Sequence, residues 1–320
     1  MALLDLKDFH ASFYTRRGIV RAVNGISFSL EKGQTLGIVG ESGSGKSVTQ
    51  LAYLGLLPTP PLKIESGQAL FQGKDLLRMT PSEMREIRGN KISMIFQEPM
   101  TSLNPYMRIG NQLIEPLTEH RGYDKKRAMK EAVKALERVG IPSAESALKS
   151  YPHEFSGGMR QRVMIAMALT TNPEVLIADE PTTALDVTVQ AQILELLKSI
   201  QKDTGMAIVL ITHDLGVVAG IADKVLVMYA GRIMEEGNAD QVFYRSHHPY
   251  THALLKSTPR IDVEQAVLPT IGGTPPDLTK LGAGCPFYDR CGYRSDECAV
   301  FPPLKQFEAG HDSYCYREAL

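Results

Sequence analysis

The stretch GESGSGKS at residues 40–47 limits what this chain can fold into more than any other. It fits the pattern G-x-x-x-x-G-K-[ST] in full. The apolar run TLGIVG leads into it, and VTQLAYLGLL follows with helical spacing until Pro58 stops it. A glycine-rich turn between a buried strand and a helix lets backbone N–H groups converge on an anion, at a helix end that already favours negative charge. Gly40, Ser42, Gly43, Ser44 and Gly45 would form such a cradle. Lys46 would reach the β- and γ-phosphates of a nucleotide, and Ser47 would ligate Mg2+.

The rest of the chain reads as an α/β protein built around that loop. LLDLKDFHASFY and RAVNGISFSLE alternate as half-buried strands do. KISMIFQ, EVLIAD and AIVLIT read as further strands, the last two buried and separated by the helical VTVQAQILELLKSIQ, which indicates a mainly parallel sheet. Residues from about 100 to 170 are mostly helical and read as an inserted subdomain. Within them, DKKRAMKEAVKALERVG places Met129, Val133, Leu136 and Val139 on one face and stops at Gly140. KVLVMYAGRIMEEG looks like a closing hairpin. From about 238 onward prolines and glycines multiply and periodicity fades, as expected of a loop-rich C-terminal extension.

Two more elements carry chemistry. Asp179 ends the apolar run VLIAD, so its carboxylate is expected at the C-terminal edge of the sheet, where ligands bind in such folds. Glu180 follows and suits the positioning or deprotonation of an attacking water. In FSGGMRQRVMIAMAL, Ser156 is a good N-cap, but Gly157 and Gly158 weaken a helix start unless something approaches the backbone closely. The methionines behind them read as core.

Taken together, residues 40–47, Gln97 in IFQEP, SGG at 156–158, Asp179 with Glu180, ALD at 184–186 and His213 in ITHD resemble the ATPase subunits of ABC transporters in order and spacing. The likeness covers roughly residues 3–240. One departure is Met159, where the family usually has glutamine. The resemblance implies a P-loop ATPase domain over 1–237 and an extension over 238–320. It implies ATP and Mg2+ as ligands, with Ser47, Gln97 and Asp179 on the metal and Glu180 as the base. His213 would touch the γ-phosphate. Two subunits would pack head to tail, the Ser156, Gly157 and Gly158 of one serving the nucleotide of the other and Asp186 communicating across the dimer. An aromatic near the N-terminus would stack on adenine; Tyr14 is the candidate, with Phe13 beside it.

EPMTSLNP, ADEPTTALDVT, HPYTHALL and GCPFYDRCGY further resemble the dipeptide and oligopeptide permease ATPases. That resemblance implies import of short peptides with transmembrane permease subunits, a second ATPase subunit (identical or homologous) and, indirectly, an extracytoplasmic substrate-binding protein. It places the chain peripherally on the cytoplasmic face of the cell membrane. Other readings are a soluble ATP-driven switch on ribosomes or nucleic acid, and an importer of nickel or another small solute. A net charge of −1 gives no electrostatic footprint for nucleic acid. No apolar run approaches the roughly 18 residues of a membrane span, and the N-terminus MALLDLKDFH does not read as a signal peptide.

The four cysteines, Cys285, Cys291, Cys298 and Cys315, all fall in the last thirty-six residues. In a reducing compartment clustered thiols favour a metal over disulfides. Their spacing, C-x5-C-x6-C-x16-C, lacks the close pairs of structural zinc sites and differs from the tight ferredoxin run. The resemblance to the peptide-permease ATPases implies a 4Fe–4S cluster, with zinc as the alternative. His247 and His248 read as packing or capping residues of the preceding linker.

Overall fold

A computed structural model describes residues 2–97, 102–183, 185–258 and 270–318. It divides into two compact units, Met1–Arg78 with Leu210–Leu320, and Met79–Val209. In chain order the first unit opens with β1 (Leu4–Thr15), β2 (Gly18–Leu30), β3 (Thr35–Val39), α1 (Lys46–Tyr53), β4 (Leu62–Phe71) and β5 (Lys74–Asp75). The second contains α2 (Pro81–Ile87), β6 (Ile92–Ile95), α3 (Ile109–Arg121), α4 (Lys125–Arg138), α5 (Ala144–Ala147), α6 (Gly157–Leu169), β7 (Val175–Asp179) and α7 (Val187–Thr204). The strand β8 (Ala207–Thr212) leads back to the first unit, which continues with α8 (Leu215–Ile221), β9 (Lys224–Tyr229), β10 (Arg232–Gly237), α9 (Ala239–Tyr244), α10 (Pro249–Lys256), β11 (Lys305–Glu308) and β12 (His311–Ser313).

The sheets are mixed rather than mainly parallel. In the first unit β1 pairs antiparallel with β2 and with β4. It buries Leu4 and Leu6, then Phe9 and Ala11, at period 2 within each pair, with a register shift between Leu6 and Phe9 that offsets the alternation by one residue. By contrast β3 is buried along its whole length and pairs parallel with β9, from Leu36 opposite Lys224 to Val39 opposite Val227. A strand covered on both faces has no polar face to show, so it appears in sequence as an unbroken apolar run. The expected hairpin forms between β9 and β10, turning at Ala230 and Gly231, both at positive φ.

The tail is tied to this unit by core packing and by a sheet edge. Tyr250 and Phe287 are buried in one cluster with Val39, Val218, Val225, Val227, Tyr229 and Met234. β12 adds antiparallel to β10, Glu235 opposite Ser313, and β11 adds to β12. Glu235 is wholly buried at this seam. Its carboxylate accepts from the backbone N–H groups of His247 at 2.7 Å and His248 at 3.0 Å, and it lies 2.8 Å from Nε2 of the buried His311. His248 also caps α10, its Nδ1 accepting from the N–H of Tyr250 at 3.0 Å. Burial pushes the His248 pKa down to about 4, which keeps that nitrogen free to accept. Both linker histidines thus pack or cap, as their setting in the sequence suggests.

In the second unit β6 and β7 pair parallel. The amphipathic helix α4 starts at Asp124, whose side chain accepts from the N–H of Arg127, and ends before Gly140 at positive φ. Its buried stripe differs by one position from the expected one. Ala128, Ala132, Leu136 and Val139 face inward, while Met129 and Val133 are only half-buried. Alanines let neighbouring helices approach more closely than methionine or valine would. A hydrophobicity count ranks the larger residues first and so misplaces the face.

The Glu235 seam sets a stability test. Glu235→Leu would strand two buried N–H groups and one buried imidazole. Breaking a buried, hydrogen-bonded charged group typically costs about 3–5 kcal/mol. Urea denaturation of the variant should show a loss of that order with an unchanged slope; a loss under about 1 kcal/mol would contradict the role given to this seam.

Candidate functional site

The phosphate loop begins where β3 ends. Because Val39 lies opposite Val227 in parallel pairing, Gly40 stands beside Met228 of the neighbouring strand. A Cβ at Gly40, with φ at 149°, would sit 2.1 Å from the Met228 carbonyl oxygen. At the other end of the loop a Cβ at Gly45, φ 97°, would sit 2.3 Å from the Ala22 carbonyl oxygen. Only glycine fits at these two points. Gly45 precedes α1, and the helix fixes the second half of the loop.

Lys46 is 6% exposed, and its Nζ donates to the carbonyls of Gly40 at 2.7 Å and Glu41 at 3.0 Å. Ser44 is buried next to it, while Ser42 and Gly43 lie open to solvent and Ser47 is half-buried. This is a short chain of residues in which a buried cation is held by its own loop. A buried ammonium is stable only with such partners, and an anionic ligand would be a stronger one.

Tyr14 lies on β1 with 44% of its surface exposed. Its hydroxyl donates to Glu65 Oε1 at 2.9 Å, and this bond raises its pKa above the ordinary tyrosine value. Lys63 Nζ stands 5.5 Å from the ring centroid. Phe13 is half-buried. His213 follows β8 and is exposed, and Asp214 after it caps α8 by accepting from the N–H groups of Gly216 and Val217.

In the second unit Asp179 closes β7 and is 4% exposed. Glu180 takes φ 47°, a left-handed backbone that is costly for a residue with a side chain. Its carboxylate accepts from Gln97 Nε2 at 3.0 Å and from Thr183 Oγ1 at 2.8 Å. The structure therefore joins two predicted residues that are 83 positions apart. Of EPMTSLNP, residues 98–101 lie outside the described residues, as does Ala184 of ALD. Asp186 caps α7, its carboxylate accepting from the N–H of Val189 at 2.9 Å. Ser156 caps α6 as expected, accepting from the N–H of Met159 at 3.3 Å. Ser156 and Gly157 are exposed. Gly158 has a packing reason of its own, since a Cβ there would meet Val189 Cγ1 at 3.0 Å.

The four cysteines are free and all line one cavity, with His248, Phe287 and Tyr314 among its walls. Burial, followed by the neighbouring thiols, pushes Cys285 up to about 12; burial also raises Cys291 and Cys315. Among the described residues, however, no group of three or more His, Cys, Asp or Glu side chains is set to hold a single metal ion. The expected metal-binding character of the tail is thus not carried by a ready ligand set.

Residues 23–183 match the ABC transporter family. The chain belongs to that family. Residues 234–298 match the C-terminal region of oligopeptide/dipeptide transporters. Among its ABC relatives, the oligopeptide transport ATP-binding protein OppD of Haemophilus influenzae is 54% identical over 317 residues, covering 99% of this chain and 98% of its own. The dipeptide transport ATP-binding protein DppD of Bacillus subtilis is 54% identical over 315 residues, covering 98% and 94%. A solved ATP-binding cassette, a dimer in a post-hydrolysis state bound to ADP and Pi, aligns with a TM-score of 0.66 at 27% identity, over 74% of this chain and 98% of its own.

Sequence reasoning missed Arg290 and Tyr250. Neither belongs to a nucleotide motif, yet both bond to Glu41 inside the phosphate loop of this ABC chain. No local pattern could have found them, because the contacts span more than two hundred residues.

The loop geometry gives a direct test. Gly45→Ala adds a side chain at positive φ, which costs about 1–2 kcal/mol before any clash is counted. The clash with the Ala22 carbonyl must then move the loop. MgATP binding to the purified variant should weaken by at least about tenfold, and binding within about twofold of wild type would show that the loop tolerates that shift.

Proposed function

We propose that this chain is the ATP-hydrolysing subunit of a membrane importer for short peptides. The observation that carries the reading is the near full-length likeness to peptide-transport ATP-binding proteins, joined to a phosphate loop with a buried lysine at its base. Nothing in the chain favours a switch on ribosomes or nucleic acid, or import of nickel. Among the described residues no helix is long and apolar enough to cross a membrane, so transmembrane permease subunits would supply the path. The chain would sit on the cytoplasmic face against them, receiving peptide indirectly from an extracytoplasmic binding protein.

The chemistry follows from the residues. The loop amides and Lys46 would hold the β- and γ-phosphates. Ser47, Gln97 and Asp179 would hold Mg2+, which would neutralise part of the phosphate charge. Glu180, bonded to Gln97 and Thr183, would take a proton from the water that attacks the γ-phosphorus, while ADP leaves with the bridging oxygen. His213 would contact the γ-phosphate, and the exposed Tyr14 ring would stack on adenine. Ser156, Gly157 and Gly158 at the start of α6, the first two of them exposed, would serve the nucleotide of a second ATPase subunit, and Asp186 would report across that dimer.

The assay is ATP hydrolysis by the chain purified with its membrane subunits and reconstituted in vesicles. Short peptide with the binding protein should raise turnover severalfold. Glu180→Gln should bind MgATP, hydrolyse it at least about a hundredfold more slowly, and accumulate as a dimer in size-exclusion chromatography. Normal turnover in that variant, or indifference to peptide, would contradict the reading.

We also infer that the four cysteines hold a 4Fe–4S cluster. Four neighbouring thiols line one partly buried cavity, a donor set suited to iron–sulfur ligation. A cluster spreads its thiolates wider than a single ion does, so the lack of a tight single-ion set counts more against zinc than against iron. Protein purified without oxygen should contain about four irons and four acid-labile sulfides per chain, and Cys291→Ser should lose them. Stoichiometric zinc, or neither metal, would overturn the assignment.

A further inference from the structure

Glu41 is the second residue of the phosphate loop, and every polar group it has is held. Its N–H donates to the hydroxyl of Tyr250 at 2.9 Å, and its carbonyl accepts from Lys46 Nζ at 3.0 Å. Its two carboxylate oxygens take a fork from Arg290, Nη1 to Oε2 at 2.6 Å and Nη2 to Oε1 at 2.9 Å. Arg290 spends its remaining donors nearby: Nη1 on the Tyr229 hydroxyl at 3.0 Å, Nε on the Gly272 carbonyl at 2.9 Å, Nη2 on the Ile271 carbonyl at 3.3 Å. The Arg290 side chain is 5% exposed, and Tyr250 is fully buried.

We propose that Arg290 and Tyr250 of the C-terminal tail are positioning residues for the phosphate loop, clamping Glu41 so that the loop amides stand ready for nucleotide. The proposal rests on reading residues 40–47 as the nucleotide site. A residue that only anchored the tail would need no more than the carbonyls of residues 271 and 272 and the Tyr229 hydroxyl. Instead, Arg290 makes its shortest bond and a second one at 2.9 Å to the loop carboxylate, and a second tail residue bonds the backbone of the same loop position. Bidentate, charge-assisted pairs fix angle as well as distance. The helix α1 secures the loop from Lys46 onward, and the close approach of Gly40 to Met228 sets its start. Between them Ser42 and Gly43 are exposed, and the clamp is what orders the half of the loop that precedes them. A loop ordered beforehand does not lose that freedom again when phosphate binds, so the clamp acts on affinity more than on the chemical step.

The experiment uses the full chain and MgATP. Glu41→Gln keeps the size of the side chain and removes its charge. Arg290→Lys keeps the charge and removes the fork. Tyr250→Phe removes only the hydroxyl. Each should weaken MgATP binding, with Glu41→Gln losing about tenfold and the other two less. In the reconstituted transporter KM for ATP should rise while kcat stays within about twofold. The melting temperature without nucleotide is measured for each; Tyr250→Phe, which leaves the ion pair intact, should stay within a few degrees of wild type, so that lost folding does not explain its lost binding. The double variant Glu41→Gln/Arg290→Lys should be no weaker than the worse single one, because both act through one contact. Lys46→Ala is the control. If it loses MgATP binding while all three clamp variants bind as wild type, the clamp is wrong and the nucleotide site stands. If Lys46→Ala binds MgATP normally, the loop is not the nucleotide site and the clamp falls with it.

Discussion

Two carbonyl oxygens, of Ala22 and Met228, stand where side chains at residues 45 and 40 would otherwise be. That closeness ties the phosphate loop to two strands at once. Met228 belongs to β9, the parallel neighbour of β3, and Ala22 belongs to β2. The turn between β9 and β10 completes the wall, with Gly231 donating to the Ser44 carbonyl at 2.9 Å and its own carbonyl accepting from Asn24 at 2.8 Å. The loop is therefore not a flexible glycine-rich segment that orders on a ligand. It is a packed element whose glycines exist to let backbone touch backbone, and the amide geometry needed for phosphate follows from strand pairing.

The same logic explains how much of the molecule its sequence discloses. β3, β7 and β8 are buried along their whole length, so their apolar runs and boundaries could be read directly. Caps at Ser156 and His248 were readable because a cap acts within a few residues. The face of α4 was not, since closeness of approach decided it and alanine carries little hydrophobic signal. Site residues separate in the same manner. Lys46, Asp179 and Glu180 lie within motifs of fixed spacing. That Gln97 bonds to Glu180 could be guessed only from family likeness. That Arg290 bonds to Glu41 could not be guessed at all, because pairing over 249 residues leaves no periodic trace.

Glu180 illustrates a second cost built into this chain. A residue with a side chain is held at φ 47°, directly after a fully buried strand. Such a conformation persists only where its surroundings over-determine it, and here Gln97 and Thr183 both donate to its carboxylate. The side chain is thereby aimed by bonds rather than by rotamer preference. The base role proposed for Glu180 would gain from such a fixed angle, because misplacement by an ångström is expensive in rate.

The tail follows from what it lacks. Between 270 and 318 its regular structure is a few single turns and two short strands, and its buried side chains are few. A segment of this kind cannot bury enough apolar surface to order itself, and must borrow an interior or a metal. It borrows the interior through Phe287, which meets the ring of Tyr229 edge-on at 5.4 Å and that of Tyr250 at 5.3 Å. Those two tyrosines are the ones whose hydroxyls reach Arg290 and the backbone of Glu41. Anything that loosens the packing of Phe287, four residues before Cys291, therefore pulls on the phosphate loop through three side chains. On sequence grounds the cysteines look remote from nucleotide chemistry, because every nucleotide motif ends before residue 215. In the folded chain the aromatic packing beneath the thiols continues, through Tyr229 and Tyr250, to the side chains that bond Glu41 of the glycine-rich loop.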